Sequence, residues 1–110
     1  MFNFGNIAEM MKQFKNIQEN VKKAQEELRN EKILVEVGGG MIKITVNGMG
    51  EVLDLDIDES LLKPENKEML TDLLISAMNE AQARSKEVMA EKMQEASGLP
   101  SNLGNLGGLF

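Results

Sequence analysis

The sequence of 110 residues predicts an α+β fold in the order α-β-β-β-α, a three-stranded antiparallel sheet with a long helix on either side. Three observations carry the prediction. Between Ile33 and Asp58 apolar and polar residues alternate with a period of two, as strands do when one face is buried and the other is wet. Two breaks, Gly38-Gly39-Gly40 and Asn47-Gly48-Met49-Gly50, cut this block into three and supply the positive-φ residues of tight hairpins. Before and after the block the apolar period becomes that of a helix and stays so for several turns.

The first helix is predicted over about 6–30. Ile7, Met10, Phe14, Ile17, Val21, Ala24 and Leu28 are spaced alternately three and four apart with no Gly or Pro between them, which makes three heptads of an a/d seam. Such a helix is roughly 37 Å long at about 1.5 Å per residue. The strands are predicted at about 33–37, 41–47 and 52–57. Ile33, Val35 and Val37, then Ile42, Ile44 and Val46, then Leu53, Leu55 and Ile57 form their apolar faces. Glu36, Lys43, Thr45, Asp54 and Asp56 occupy the opposite face. Strands of this length span only about 20 Å, so the helix overhangs its own sheet.

After Ile57, Asp58 or Ser60 caps a turn, and Pro64 suits the first turn of the second helix, predicted over about 65–96. Leu70, Leu73, Leu74, Ala77, Met78, Ala81, Val88 and Met89 give it an apolar stripe that narrows beyond Ala81. This second helix, about 48 Å long, also outreaches the sheet. Residues 1–96 therefore read as a single domain. Residues 97–110, rich in Gly, Leu and Asn around Pro100, read as a flexible tail in which Leu99, Leu103, Leu106, Leu109 and Phe110 offer apolar side chains to a partner. Two overhanging helices on a small core leave Met11, Phe14, Ile17, Met89 and Met93 uncovered in a single copy, which predicts a dimer.

Composition narrows the function. The chain has no His, Cys, Tyr or Trp, so acid-base chemistry would fall to Glu51, Asp54 and Asp56 alone, and no catalytic constellation is expected. The triple glycine lies between strands rather than before a helix and fits neither nucleotide-loop pattern. Asp54, Asp56, Asp58 and Glu65 have the spacing of a calcium loop, but Glu59 stands where the turn needs Gly and a strand stands where the loop needs a helix. No metal and no cofactor are expected. No apolar run reaches the roughly 18 residues of a membrane span, and the first six residues lack the basic start of a leader. These features, with the absence of cysteine, predict a soluble cytoplasmic protein that takes no small-molecule substrate.

The net charge of −6 argues against attraction of a polyanion to the whole surface, so its distribution matters. Residues 1–32 hold six basic against five acidic residues; residues 33–58 hold one basic against five acidic. A polyanion would therefore meet the first helix. Lys15, Lys22 and Arg29 recur every seven residues away from the apolar seam, with Lys12 and Lys23 beside them. They form a stripe of about 21 Å that reaches several phosphates of a duplex. Acidic residues four positions away, such as Glu19 and Glu26, also fit a merely solvated helix face. Phe occurs only at positions 2, 4, 14 and 110, which leaves no stacking platform for single strands.

Several ordered segments resemble the YbaB/EbfC family of bacterial nucleoid-associated proteins. They are Phe2 and Gly5 before a helix rich in Met, Gln and Lys; the run from Gly38 to Gly48; Asp58-Glu59-Ser60-Leu61-Leu62; Ala77-Met78-Asn79-Glu80-Ala81; and Glu91-Lys92-Met93. The resemblance covers nearly the whole chain. It implies an α-β-β-β-α homodimer whose helical arms grip double-stranded DNA, without enzymatic activity, in nucleoid organisation or gene regulation. By the same resemblance DNA contacts are expected from Lys15, Lys22, Lys23 and Arg29 on the first helix and Arg84 and Lys86 on the second. The rival reading is a protein-interaction adaptor that uses the same arms or the tail.

Overall fold

The structure, a computed structural model, describes residues 4–98. The elements follow the expected order: α1 (Phe4–Asn30), β1 (Ile33–Val37), β2 (Ile42–Val46), β3 (Val52–Ile57) and α2 (Lys67–Ser97). The strands form one antiparallel sheet in the order β1-β2-β3. Two 3-10 turns, Glu59–Leu61 and Pro64–Asn66, stand between β3 and α2. Pro64 thus opens a short turn of its own ahead of α2. Asp58 caps the first of these turns by accepting the Ser60 N–H at 2.8 Å. That bond holds the Asp58 carboxyl below the ordinary carboxylate range. Gly98 ends α2 in the left-handed conformation, its N–H donating to the Glu95 carbonyl. The predicted tail lies outside the described residues from Leu99 onward.

The β1–β2 connection needs its three glycines, because Gly38, Gly39 and Gly40 have φ of 62°, 68° and 92°, a region costly for any residue with a Cβ. Val37 is thereby set opposite Ile42, Val35 opposite Ile44 and Ile33 opposite Val46, so the apolar sets of both strands share one face. Across that face runs α2. Ala77, Ala81 and Ser85 recur every four residues and are fully buried, and these small side chains let the helix lie close to the sheet. Val35, Ile42, Ile44, Val46, Leu61, Ala77 and Ala81 form the core, edged by Leu70, Leu73 and Leu74.

This core is narrower than the alternation predicts. α2 covers β1 and β2 and leaves β3 bare, so Leu53 and Leu55 stay 48% and 45% exposed on what was expected to be a buried face. An irregularity at Thr45/Val46 contributes, since Val52 pairs with Val46 while Asp54 pairs with Thr45, and Leu53 is left between them in a bulge.

The β2–β3 turn is a joint that fastens α1 to the rest. The buried Asn47 side chain donates from Nδ2 to the Arg29 carbonyl at 3.0 Å and to Glu51 Oε1 at 2.9 Å. Its Oδ1 accepts the Met49 and Glu51 N–H groups, each at 3.0 Å. The Gly48 N–H donates to the Leu28 carbonyl at 2.8 Å, and the Ser85 hydroxyl to the Asn47 carbonyl at 2.9 Å. Two carbonyls at the end of α1 are thus engaged by one turn, which α2 also grips, the Leu28 carbonyl accepting the Glu31 N–H as well. Gly48 is required here by space: a Cβ would stand 2.5 Å from Leu28 Cδ2.

The particle measures 75 × 29 × 16 Å, with a radius of gyration of 20.4 Å. A compact domain of this length has a radius of about 13 Å. The difference is the two helices, which run off the sheet in one direction.

Candidate nucleic-acid interface

Beyond the joint, α1 and α2 lie side by side and antiparallel. Lys92 Nζ sits 3.0 Å from Glu27 Oε2, and a cleft of about 210 Å³ is lined by Asn20, Lys23, Ala24 and Glu27 from α1 and Lys92, Glu95 and Ala96 from α2. Residues farther back on α1 thus meet residues farther on in α2, and α2 ends abreast of Asn20. From there α1 continues alone for roughly 20 Å. The heptad seam records this directly: Leu28 and Ala24 are buried and Val21 half-buried, whereas Ile17, Phe14 and Met10 are exposed. The hydrogen bond to Glu27 and its charge raise the Lys92 amine above the usual lysine range.

Lys12, Lys15, Lys22, Lys23 and Arg29 are all exposed on this arm. The i,i+4 pairing that the interleaved acids suggested is not made. Among the described residues the ion pairs are Arg84–Glu80 and Lys92–Glu27, so the five cations of α1 stand without a carboxylate partner within 4.0 Å. Lys15, Lys22 and Arg29 fall within about 40° of one another around the helix axis, and Lys12 and Lys23 lie on the opposite shoulder of the polar face. Arg84 and Lys86 sit at the base of the arm on α2, both exposed. Arg84 turns toward β1, donating to the Leu34 carbonyl at 3.2 Å and to Glu80 at 2.8 Å, so part of its fork is already engaged. Lys86 has no ion-pair partner among the described residues.

The sheet presents the opposite sign. On its outer face the register sets Glu36, Lys43 and Asp56 in one row and Leu34, Thr45 and Asp54 in the next. Three carboxylates against one ammonium make this face unfavourable for a polyanion. α1, with five basic and four acidic residues, is thus close to neutral while the outer face of the sheet is acidic, a contrast that the net charge of −6 conceals.

The residues that position the arm were not legible as such. Asn47 and Gly48 read as an ordinary hairpin turn, and nothing in the sequence ties them to Leu28 and Arg29. Ser85 had a visible signal in the spacing Ala77-Ala81-Ser85, small residues four apart that mark close helix packing. Gln82, which donates to the Gly50 carbonyl at 3.0 Å, had none. Among the described residues no group of three or more potential ligands could hold a metal ion, and no helix is long and apolar enough to cross a membrane.

Residues 3–99 match the YbaB/EbfC DNA-binding family. A nucleoid-associated protein of Sulfurihydrogenibium sp. is 60% identical over the whole of both chains, and one of Persephonella marina is equally so. A nucleoid-associated protein of Ruminiclostridium cellulolyticum is 39% identical over 96% of this chain and 90% of its own. The crystal structure of an uncharacterized protein from Helicobacter pylori superposes with a TM-score of 0.66 at 29% identity, over 79% of this chain and 88% of the other.

Proposed function

This chain belongs to the YbaB/EbfC DNA-binding family, and from that premise we propose that it is a cytoplasmic nucleoid-associated protein that holds double-stranded DNA as a homodimer, between helical arms. The grip is mainly on phosphates. The observation that carries the reading is the row of unpaired cations along an arm that projects away from an acidic sheet. Lys12 to Arg29 spans about 26 Å, a length over which a duplex carries about 15 phosphate charges. Lys12, Lys15, Lys22, Lys23 and Arg29 supply most of the attraction, with Lys86 and Arg84 at the base. Aliphatic stems with charged ends favour the backbone over base edges, so sequence preference is weak and the role is architectural or regulatory.

The second copy fits the bare side of the sheet. Gln82 turns one flank of α2 toward the β2–β3 turn, and the exposed Ile75 and Met78 belong to that flank. With Val52, Leu53 and Leu55 of β3 they form an apolar corner beside an unpaired strand edge, the kind of surface that two copies bury together.

The test is neutralisation of Lys15, Lys22 and Arg29 to Gln in the full chain. DNA affinity should fall similarly on unrelated duplexes, and the slope of log K against log salt should flatten by about 0.9 for each phosphate that is no longer neutralised. An unchanged slope, with the dimer intact, removes these residues from the interface. The adaptor reading draws on the exposed Met10, Met11 and Phe14 at the arm tip; partners that persist after nuclease treatment, with no shift of purified DNA, would favour it.

A further inference from the structure

The arm tip carries an apolar surface that neither the cationic row nor the sheet-side corner uses. Ile7, Met10, Met11 and Phe14 line a hollow of about 470 Å³. Met10, Met11 and Phe14 are 68%, 69% and 62% exposed, an arrangement that leaves large side chains in water unless something covers them. We propose that the cover is this chain's own C-terminal segment, residues 99–110, folded back along α1.

Position, length and chemistry support that occupant. α2 stops abreast of Asn20, where the bare stretch of α1 begins, and Gly98 closes the helix in the left-handed conformation, which turns the chain off the helix axis at that level. Pro100 then bars a resumed helix from running straight on. From Ile17 back to Ile7 the bare seam is about 15 Å long, and the twelve residues 99–110 reach up to about 40 Å when extended. The segment holds no charged residue and places Leu99, Leu103, Leu106 and Leu109 three or four residues apart, followed by Phe110, so it offers apolar side chains at intervals along the seam. Met10 and Met11 are unbranched and adapt to such a partner without a preset shape. A tether this short holds the segment at an effective concentration in the millimolar range, about the highest that a flexible link provides.

A second copy is the competing occupant, and it fits less well. The apolar corner at Leu53, Leu55, Ile75 and Met78 lies at the sheet end of a 75 Å particle, the hollow at its far tip. Two copies joined at both places would press their arms together and shut the gap between them.

The chain has no cysteine, so a pair can be introduced cleanly. In the full-length Met11→Cys/Leu106→Cys protein, mild oxidation should give a disulfide within one chain, while the pair Asp56→Cys/Leu106→Cys, far from the tip, should not link. In cysteine-free protein, Leu103→Asp/Leu106→Asp/Leu109→Asp should raise peroxide oxidation of Met10 and Met11 by about threefold or more and leave Met78 unchanged. The substitutions lie outside the described residues, and circular dichroism checks that the domain stays folded. Unchanged oxidation at Met10 and Met11 overturns the proposal, as does a disulfide between chains in Met11→Cys alone, which would give the tip to a second copy. Neither readout involves DNA, so failure here leaves the proposed function standing.

Discussion

The joint between α1 and the β2–β3 turn makes the sharpest quantitative prediction, and Gly48→Ala is its probe. The new Cβ would fall 2.5 Å from Leu28 Cδ2 and 3.0 Å from both Cβ and the carbonyl oxygen of Leu28. Carbon atoms rest at about 3.5–4.0 Å, so α1 or the turn must move by about 1 Å. Leu28 is fully buried, and the contacts with its Cβ and carbonyl oxygen cannot be relieved by a rotation of its side chain alone. Overpacking of this kind destabilises by about 1–3 kcal/mol, and loosening the bond from the Gly48 N–H to the Leu28 carbonyl adds about 1 kcal/mol. Alanine's narrower unfolded ensemble offsets about 0.4–1 kcal/mol. The net expectation is a loss of about 2–3 kcal/mol, or about 10 °C in melting temperature. Urea melts followed by circular dichroism at one fixed protein concentration measure it. If Leu28 is the obstacle, Leu28→Ala/Gly48→Ala should be less damaged than the sum of its single changes by about 1 kcal/mol or more. A stability change under about 0.5 kcal/mol for Gly48→Ala, or strict additivity in the double variant, would refute the close approach.

Removing the buried Ile44 side chain in Ile44→Ala should destabilise by about 2–4 kcal/mol in the same melts, because the site lies between α2 and both neighbouring strands. Leu55→Glu with Met78→Glu should shift sedimentation toward a single copy while leaving the circular dichroism spectrum unchanged; a dimer that survives both places the second copy elsewhere. Asp58 titrates below the ordinary carboxylate range, chiefly through its bond from the Ser60 N–H, so its contribution is present above the unfolded value and disappears as the pH falls through the lowered one. A carboxyl titration by NMR should place Asp58 below the ordinary carboxylate range, and Asp58→Asn should remove that acid-range dependence. Lys92 has the opposite sign, its amine raised by Glu27, so the pair's contribution is present below the ordinary lysine range and is lost only as the pH rises through the raised value. Lys92→Met should therefore remove the pair's small contribution throughout the neutral range and flatten the alkaline arm of the stability profile.

Where local periodicity decided structure, the sequence could be read to within a few residues. The two-residue alternation and the glycine breaks fixed three strands and their pairing, since a one-residue slip would have exposed every apolar side chain of β2. The seven-residue seam likewise fixed α1. Coverage was harder. Leu53 and Leu55 alternate like Val35 and Ile44, and only the path of α2 over β1 and β2 leaves the former exposed. Asn47 illustrates the same limit, because its partner at Arg29 lies 18 residues away and an Asn-Gly pair reads the same whether or not a helix end rests on it. The cationic positions were legible as a row, while their freedom from Glu19 and Glu26 depends on side-chain conformations that spacing does not determine.

The fastening of α1 at one extremity gives it the mechanics of a lever. Its fulcrum is Leu28 against Gly48, and from there to Gly5 the helix runs about 35 Å, accompanied by α2 as far as Asn20. A tilt of about ten degrees at the fulcrum, roughly what an ångström-scale repacking around one leucine produces, would sweep the far end through about 6 Å. In the proposed dimer the spacing between two such levers would be geared to a few side chains at this pivot, and a single methyl group there would retune how wide the pair opens.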